Sequence, residues 1–220
     1  MKIVKASYHK NPFIGLFLKT NNSITLVPKQ SPAKIRQVAK EALNTTVLEM
    51  FVNQSPLIGL LTALNDNGCV LANQSELEEV RLLKKQGLNV YVMEEQYAPG
   101  NTIFGNKKAT IISPLISRHE AEKIAECLGT EFIQESVGSI KTIGAINVAT
   151  NKGLLAYNDI TEVELKKLEK ILGVHGEAGT NNTGTPFNSL GVIANDYGAL
   201  IGDLTTGFES QRIYQALCGE

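Results

Sequence analysis

The residue types that could perform nucleophilic or metal chemistry are scattered along the 220-residue chain. No Cys-x-x-Cys pair or mixed Cys/His spacing is present, so the sequence predicts neither a metal site nor a cofactor site. We also expect no catalytic residue. An odd number of widely spaced cysteines indicates reduced, buried thiols in a cytoplasmic protein. The residues concerned are Cys69, Cys127, Cys218, His9, His119 and His175.

Carboxylates and glycines give equally little support for catalysis. Asp159, Glu162 and Glu164 are clustered, but the two glutamates fall in a predicted first helical turn, where negative charge favours the helix dipole. No phosphate-binding glycine motif occurs, so the glycine-rich segments are interpreted as turns.

The net charge indicates whether the main partner is a nucleic acid or a protein. The formal net charge is -1, whereas proteins that wrap naked nucleic acid carry a basic excess that neutralises phosphates. We therefore expect no binding to free DNA, and a protein surface as the main partner. Lys107 and Lys108, in a predicted hairpin turn, are candidates for a local contact with RNA.

The elements that would position such residues repeat along the chain. Short Asn-, Asp- or Gly-rich turns separate pairs of apolar runs, which is typical of β-hairpins. The turn residues lie at intervals of 45, 39, 45 and 45 residues, and NPFIG (11–15) recurs as SPLIG (55–59), with further glycines at Gly144 and Gly191. The turn residues are Asn22, Asn67, Asn106, Asn151 and Asp196.

Helix starts repeat with nearly the same period. Four Ser/Thr-x-x-Glu segments match the capping box, in which a hydroxyl and a glutamate satisfy the first free N–H groups of a helix. They begin at Ser75, Ser117, Thr161 and Thr206, and Ser31 followed by Pro32 occupies the same place in the first repeat. Gly87, Gly129 and Gly173 mark helix ends.

Each repeat therefore predicts a β-hairpin, a helix and a further strand. The fifth repeat has no strand after its helix, but KIVKAS (2–7) aligns with TVLEMF (46–51) at a shift of 44 residues. We expect the N-terminal strand to complete the last unit, which leaves no open sheet edge. The predicted fold is α+β: one five-bladed β/α propeller over 1–220, with five pseudo-symmetric ββαβ units around an axis and the ring closed by the N-terminal strand. The approximate repeats are 8–51, 52–95, 96–137, 138–182 and 183–220 completed by 1–7.

The sequence resembles the translation initiation factor 6 family of the pentein superfamily over nearly its full length. The segments that carry the resemblance are PFIGLF (12–17), APGN (98–101), GNKKATIISP (105–114), IGAINVATNKGLL (143–155) and VIANDYGALIGDLTT (192–206). The acidic, serine-containing extension of eukaryotic members is missing, so the chain is most similar to archaeal ones. The resemblance implies a cytoplasmic, monomeric factor for translation initiation or ribosome biogenesis. Such a factor binds the large (50S) ribosomal subunit and prevents association with the small (30S) subunit.

The resemblance also implies a contact surface and a rival function. In the family, the loop matched by Gly100 and Asn101 meets an L14-type ribosomal protein near the sarcin–ricin loop of the rRNA. We expect Asn101 to be exposed at the tip of a turn.

The rival within the same superfamily is a hydrolase or amidinotransferase acting on guanidino substrates, which needs a cysteine nucleophile and paired carboxylates in the axial cavity. Cys218 follows a helical segment at the chain terminus, a poor position for a preorganised nucleophile, and the chain is therefore predicted not to be an enzyme.

Three further residues are candidates for the same contact surface. Leu60 and Ile146 follow the repeat glycines Gly59 and Gly144, and we interpret them as equivalent positions in their units. Asn188 lies in the corresponding stretch of the fifth unit. Pseudo-symmetry would place these positions on a common face around the axis. The N-terminal segment has no apolar core typical of a signal peptide, and no long apolar stretch is present, so a membrane is not expected as a partner.

Overall fold

The secondary structure repeats one order of elements along the chain. The computed structural model describes residues 1–218. The strands of that range are β1 (Lys2–Ala6), β2 (Lys19–Thr20), β3 (Ile24–Pro28), β4 (Thr46–Met50), β5 (Thr62–Leu64), β6 (Gly68–Leu71), β7 (Asn89–Val92), β8 (Ile103–Gly105), β9 (Ala109–Ile112), β10 (Glu131–Gln134), β11 (Val148–Ala149), β12 (Gly153–Ala156), β13 (His175–Ala178), β14 (Val192–Ala194) and β15 (Gly198–Gly202). The helices are α1 (Ala33–Leu43), α2 (Ile58–Leu61), α3 (Leu77–Lys84), α4 (Pro99–Thr102), α5 (Arg118–Leu128), α6 (Ile143–Ile146), α7 (Glu162–Leu172), α8 (Asn188–Gly191) and α9 (Gly207–Cys218), and a 3-10 turn spans Ile14–Leu16.

The strands of residues 1–218 form five three-stranded sheets. In each of the first four sheets an antiparallel hairpin is followed by a long helix, and the strand after that helix pairs in parallel with the second hairpin strand. In the fifth sheet β1 takes this last place and runs parallel to β15, with Lys2 opposite Gly198 and Ala6 opposite Gly202. The predicted α+β class, the order hairpin–helix–strand and the pairing of the N-terminal strand with the last hairpin are confirmed.

The hydrophobic core is divided among the units. Five clusters of buried side chains lie where long helices cover the sheets. On α5, for example, Ile124 and Leu128 are buried, whereas Arg118 and Glu122 face solvent and form an ion pair. A helix with one apolar face stabilises the fold by burying it, by about 1.5–3 kcal/mol for each large aliphatic side chain.

Two of the predicted capping boxes are confirmed. The Thr161 hydroxyl accepts from Glu164 N, and the Glu164 carboxylate accepts from Thr161 N at the start of α7. Thr206 and Glu209 make the same reciprocal pair before α9. The glutamates also bond outside their own helix, because Glu209 accepts from the backbone N–H of Gly184.

The prediction for α3 was wrong by one residue. The cap of this helix is Glu76, whose side chain accepts from the backbone N–H of Glu79, while Glu79 accepts from Glu76 N. Ser75 was expected to cap with Glu78, but its hydroxyl donates to Ala72 O instead. A hydroxyl that bonds backward to a carbonyl is not available to cap the helix that follows.

The starts of α5 and α1 also differ in part from expectation. Ser117 caps α5 by accepting from Glu120 N, as predicted. Glu120 does not reach back to Ser117, because it accepts from Tyr91 Oη and from the backbone N–H of Glu94. In α1 the cap residue is Pro32, and the preceding serine donates its hydroxyl to a turn carbonyl.

Candidate functional site

Five short helical turns lie together at one end of the inner strands β2, β5, β8, β11 and β14. These axial turns are the 3-10 turn and helices α2, α4, α6 and α8. Each contacts the next, and α8 contacts the 3-10 turn. Their approach is so close that a Cβ atom on Gly59 would lie 1.8 Å from Gly15 O, and one on Gly100 would lie 2.0 Å from Gly59 O. At Gly59 and Gly100 the absence of a Cβ atom leaves room for the neighbouring carbonyl.

The same contacts define which residues of the axial turns are equivalent. A Cβ atom on Gly15 would lie 1.9 Å from Ser189 O, so Ser189 holds the glycine position in the fifth unit. Gly191, expected there from the sequence, lies two residues later against the Asn181 side chain. The equivalent positions are Gly15, Gly59, Gly100, Gly144 and Ser189, and the residues that follow them are Leu16, Leu60, Asn101, Ala145 and Leu190.

Gly100 and Asn101 lie in the axial turn α4, not in an open loop. Pro99 starts the turn, and Pro99 and Gly100 are buried. Asn101 is half-buried, and its backbone N–H donates to Ala98 O. The expectation of a fully exposed turn tip was therefore wrong. Asn101 lies at the outer end of the axial turns with part of its side chain open to solvent.

Leu60 and Ile146 do not occupy equivalent positions. Leu60 directly follows Gly59 and is half-buried on α2. Ile146 is the second residue after Gly144, and its side chain is completely buried. Ala145 takes the place that corresponds to Leu60. A shift of one residue within a helical turn is enough to move a side chain from the surface into the core.

Asn188 is also an interior residue, and it joins three segments. Its side-chain amide donates to the carbonyl oxygens of Ile146 at 3.1 Å, Ala156 at 2.9 Å and Gly179 at 3.0 Å. The side chain is fully buried and cannot bond to water. The three carbonyl oxygens are its hydrogen-bond partners instead. Asn188 therefore stabilises α8 from inside the protein.

The hairpin turns lie at the other end of the inner strands. In each, a side-chain oxygen accepts from two backbone N–H groups of the same turn. The equivalent residues are Asn21, Asn65, Asn106, Thr150 and Asn195. The register predicted from Asn22, Asn151 and Asp196 is therefore one residue later than this set, and Asn67 and Asn106 do not belong to that register.

A chain of polar bonds connects neighbouring hairpin turns. Asn22 donates its side-chain amide to both Asp66 and Asp196, at 2.8 Å each. Asn151 donates to Asp196 at 2.7 Å and accepts from the backbone N–H of Lys107 at 2.9 Å. Turns that come from distant parts of the sequence are held together in this way.

Lys107 and Lys108 have different surroundings on their hairpin turn. Both are exposed, but the Lys108 ammonium donates to Lys170 O near the end of α7 and its chain crosses Gly173. A cation at this position stabilises the helix terminus. Strand β8 separates these lysines from Asn101, so the residues predicted to bind one partner lie at opposite ends of the inner strands.

An axial cavity of about 80 Å³ lies between the two ends and is lined by the inner strands. Five equivalent residues line it, of which Lys19 is the only charged one. Burial lowers the pKa of Lys19 from its usual 10.5 to about 8. No aspartate, glutamate, cysteine or histidine of the described part of the chain lines this cavity. The five equivalent residues are Lys19, Ala63, Phe104, Val148 and Ile193.

The thiols are placed unfavourably for nucleophilic chemistry. Cys69 and Cys127 are buried away from the axial cavity, and burial raises the pKa of both, that of Cys127 to about 11. Cys218 is half-buried at the last described position of α9. Within residues 1–218 no group of three or more potential ligands could hold a metal ion. In the same range no helix has the length and apolarity needed to cross a bilayer.

The fold defines an α+β protein of five repeated units, and the described residues that line its axial cavity include one cationic side chain and no acidic one. Comparison with known proteins agrees with this repeat. A family model described as "eIF-6 family" matches residues 3–216. The chain belongs to this family of translation initiation factors. It is 39% identical to the translation initiation factor 6 of Pyrobaculum arsenaticum over 93% of each chain. It is 37% identical to that of Staphylothermus marinus, over 100% of this chain and 99% of the relative. It is 31% identical to that of Pyrococcus horikoshii over 99% of each chain.

Proposed function

We propose that this translation initiation factor binds the large (50S) ribosomal subunit and sterically prevents the small (30S) subunit from joining. The work required is binding free energy alone, because occupancy of the shared surface at a concentration well above Kd excludes the small subunit. The protein would act as a cytoplasmic monomer and would not be an enzyme. Its five units would form a closed propeller of the pentein type, supported by the pairing of β1 with β15 and by the contact of α8 with the 3-10 turn.

The observation that favours a particular surface is the exception at Asn101. The other residues that directly follow the equivalent glycine positions are apolar: Leu16, Leu60, Ala145 and Leu190. Asn101 is thus one polar side chain in a surrounding of apolar ones, at the solvent end of the axial turns. A polar group within an apolar patch is typical of protein–protein interfaces whose affinity depends on a few buried anchors.

We infer that the axial-turn end, with Gly100, Asn101 and Leu60, meets an L14-type ribosomal protein close to the sarcin–ricin loop. Ile146 and Asn188 would contribute indirectly by supporting α6 and α8 from the interior. Lys107 and Lys108 lie at the far end of the inner strands, where an rRNA contact would be separate from this protein–protein contact. The net charge of -1 favours the protein–protein contact as the main source of affinity.

A guanidino-directed enzyme would need carboxylates to hold the substrate cation and a thiolate to attack it. The axial cavity offers the ammonium of Lys19, which repels a guanidinium, and the buried thiols favour the protonated form. We infer that arginine and related substrates are not turned over. Citrulline or ornithine formation that disappears in a Cys218→Ala variant would contradict this inference.

The test is co-sedimentation with purified large and small subunits on sucrose gradients, followed by affinity measurement at two salt concentrations. Wild-type protein should travel with the large subunit only. Asn101→Arg should weaken this binding by about 2 kcal/mol, the scale of an interface anchor and about 30-fold in Kd. The thermal unfolding midpoint should be nearly unchanged, because Asn101 is half-exposed.

Asn89→Arg is the matched control, since Asn89 is exposed at the start of β7 and its backbone N–H donates to Asn67 O in a hairpin turn, at the end of the strands away from the axial turns. It should bind like wild type, as should charge reversal of Lys84 and Lys85 on α3. If Asn101→Arg binds normally while the lysine reversals abolish binding with a steep salt dependence, docking is led by RNA. Migration with neither subunit would refute the proposed function as a whole.

A further inference from the structure

Lys19 places a half-buried cation at the wall of the axial cavity. It lies on β2 and lines the axial cavity, opposite Phe104, Val148 and Ile193 from other units. Within residues 1–218 no carboxylate forms an ion pair with the Lys19 ammonium, and none of the hydrogen bonds found there involves it. Lys19 is half-buried, so its ammonium loses part of its hydration without gaining a charged partner from the protein.

The neighbourhood of the ammonium supplies no negative charge. The titratable group that influences the Lys19 ammonium electrostatically is the Cys69 thiol. Burial raises the pKa of this thiol, so the thiol stays neutral at physiological pH. The burial of Lys19 itself lowers its pKa only to about 8, so the ammonium is mostly protonated at neutral pH. The chain therefore leaves one positive charge uncompensated in the cavity.

We propose that the axial cavity binds a small monovalent anion, of the size and charge of chloride, at the Lys19 ammonium. One negative charge neutralises one ammonium, whereas a divalent anion would leave a net negative charge in a cavity whose described lining offers no second cation. The cavity of about 80 Å³ has room for a small inorganic ion with some water.

The other polar groups of the cavity are consistent with a site of one ammonium and water. The amide of Asn147 donates to Ile143 O, and the hydroxyl of Ser189 donates to Ala145 O. The Ser189 hydroxyl and one of the two N–H groups of the Asn147 amide are thus already used within the protein. Selectivity would come from size and charge rather than from a specific set of hydrogen bonds, and a large organic anion would be excluded.

Anion binding to the folded state should make stability depend on the identity of the anion. The experiment compares thermal unfolding at pH 6.5 in sodium chloride and in sodium gluconate of the same ionic strength. The wild-type midpoint should be several degrees higher in chloride, with an increase that follows the logarithm of chloride concentration. Lys19→Met, which keeps the length of the side chain and removes the charge, should unfold at the same temperature in both salts.

Lys40→Met is the matched control, because Lys40 is exposed on α1 and lies outside the cavity. It should keep the wild-type difference between the two salts. The proposal is wrong if wild-type protein shows no difference, or if Lys19→Met retains it.

A second measurement covers the case in which Lys19→Met does not fold. Wild-type crystals grown in sodium bromide should show an anomalous scattering peak in the axial cavity within hydrogen-bond distance of Lys19 Nζ. The absence of such a peak at high bromide concentration would overturn the proposal.

Discussion

Asn195 provides the sharpest test of whether the five units close into a ring. It lies in the hairpin turn between β14 and β15 and is 4% exposed. Its side-chain amide donates to Asn21 O at 2.9 Å and to Leu43 O at 2.8 Å, both in the first unit. Its side-chain oxygen accepts from the backbone N–H groups of Tyr197 and Gly198 at 3.0 Å each. Asn195→Ala therefore removes two bonds within the turn and two that join the last unit to the first.

The expected cost follows from these four bonds. A buried hydrogen bond contributes about 1 kcal/mol net, and somewhat less where water can enter the space left by the removed group. We expect Asn195→Ala to lower the free energy of unfolding by about 3 kcal/mol. Asn106→Ala is the matched control, because Asn106 makes the same four kinds of bond between the third and fourth units.

The assay is urea unfolding of both variants beside wild type, monitored by circular dichroism. In a closed ring the junction between the last and first units equals the other junctions. Both variants should then lose similar stability with an unchanged dependence on urea. In an open arrangement the junction made by Asn195 would contribute little. A loss in Asn195→Ala of about half that in Asn106→Ala, as expected from the two bonds within the turn alone, would refute the closed ring.

Two further changes test individual parts of the fold. Deletion of residues 1–6 removes β1 and exposes the edge of β15, so the protein should aggregate or unfold at a much lower temperature; an unchanged melting curve together with a monomeric elution volume would contradict this. Glu209→Gln should cost about 2 kcal/mol at pH 7, because the buried carboxylate accepts from Gly184 N and from both Thr206 N and Thr206 Oγ1. Burial alone would raise the pKa of Glu209, but these hydrogen bonds hold it below its usual value. The stabilisation is thus present above the unfolded-state pKa and lost as pH falls through the folded-state pKa. Urea unfolding at pH 7 and pH 3 should show a smaller cost of Glu209→Gln at pH 3 than at pH 7, and a cost equal at both values would show that the carboxylate charge is irrelevant.

The repeat order was predictable because its signals are local. A hairpin turn, a helix cap and a β-rich run each depend on a few adjacent residues, and the same set recurs at nearly constant spacing. The pairing of β1 with β15 followed from the same spacing, since Lys2–Ala6 occupies the place that the strand after a helix takes in the other units. Local signals with one period were sufficient for the fold class.

The site was less predictable because its geometry depends on contacts between units. Pro99-Gly100-Asn101 has the composition of an open turn, yet it forms a helical turn packed on the carbonyl of Gly59. Nothing in the spacing of glycines showed that the residue two positions after Gly144 would be buried. The short interval of 39 residues was only a weak signal of the wrong register, because the equivalent residues Asn65 and Asn106 are themselves only 41 residues apart.

Pseudo-symmetry offers a way to separate what the fold requires from what is particular to this protein. Where five equivalent positions hold similar residues, as with the four glycines and Ser189 of the axial turns and the oxygen acceptors of the hairpin turns, the common geometry explains the residue type. Where one position departs from the other four, the geometry of the repeat does not explain it. Asn101 is such an exception among apolar residues on the surface, and Lys19 is such an exception in the cavity. A charge or an amide placed against the pattern costs stability unless a partner or an ion satisfies it. We therefore propose that the two departures are the two places where this protein binds something other than itself.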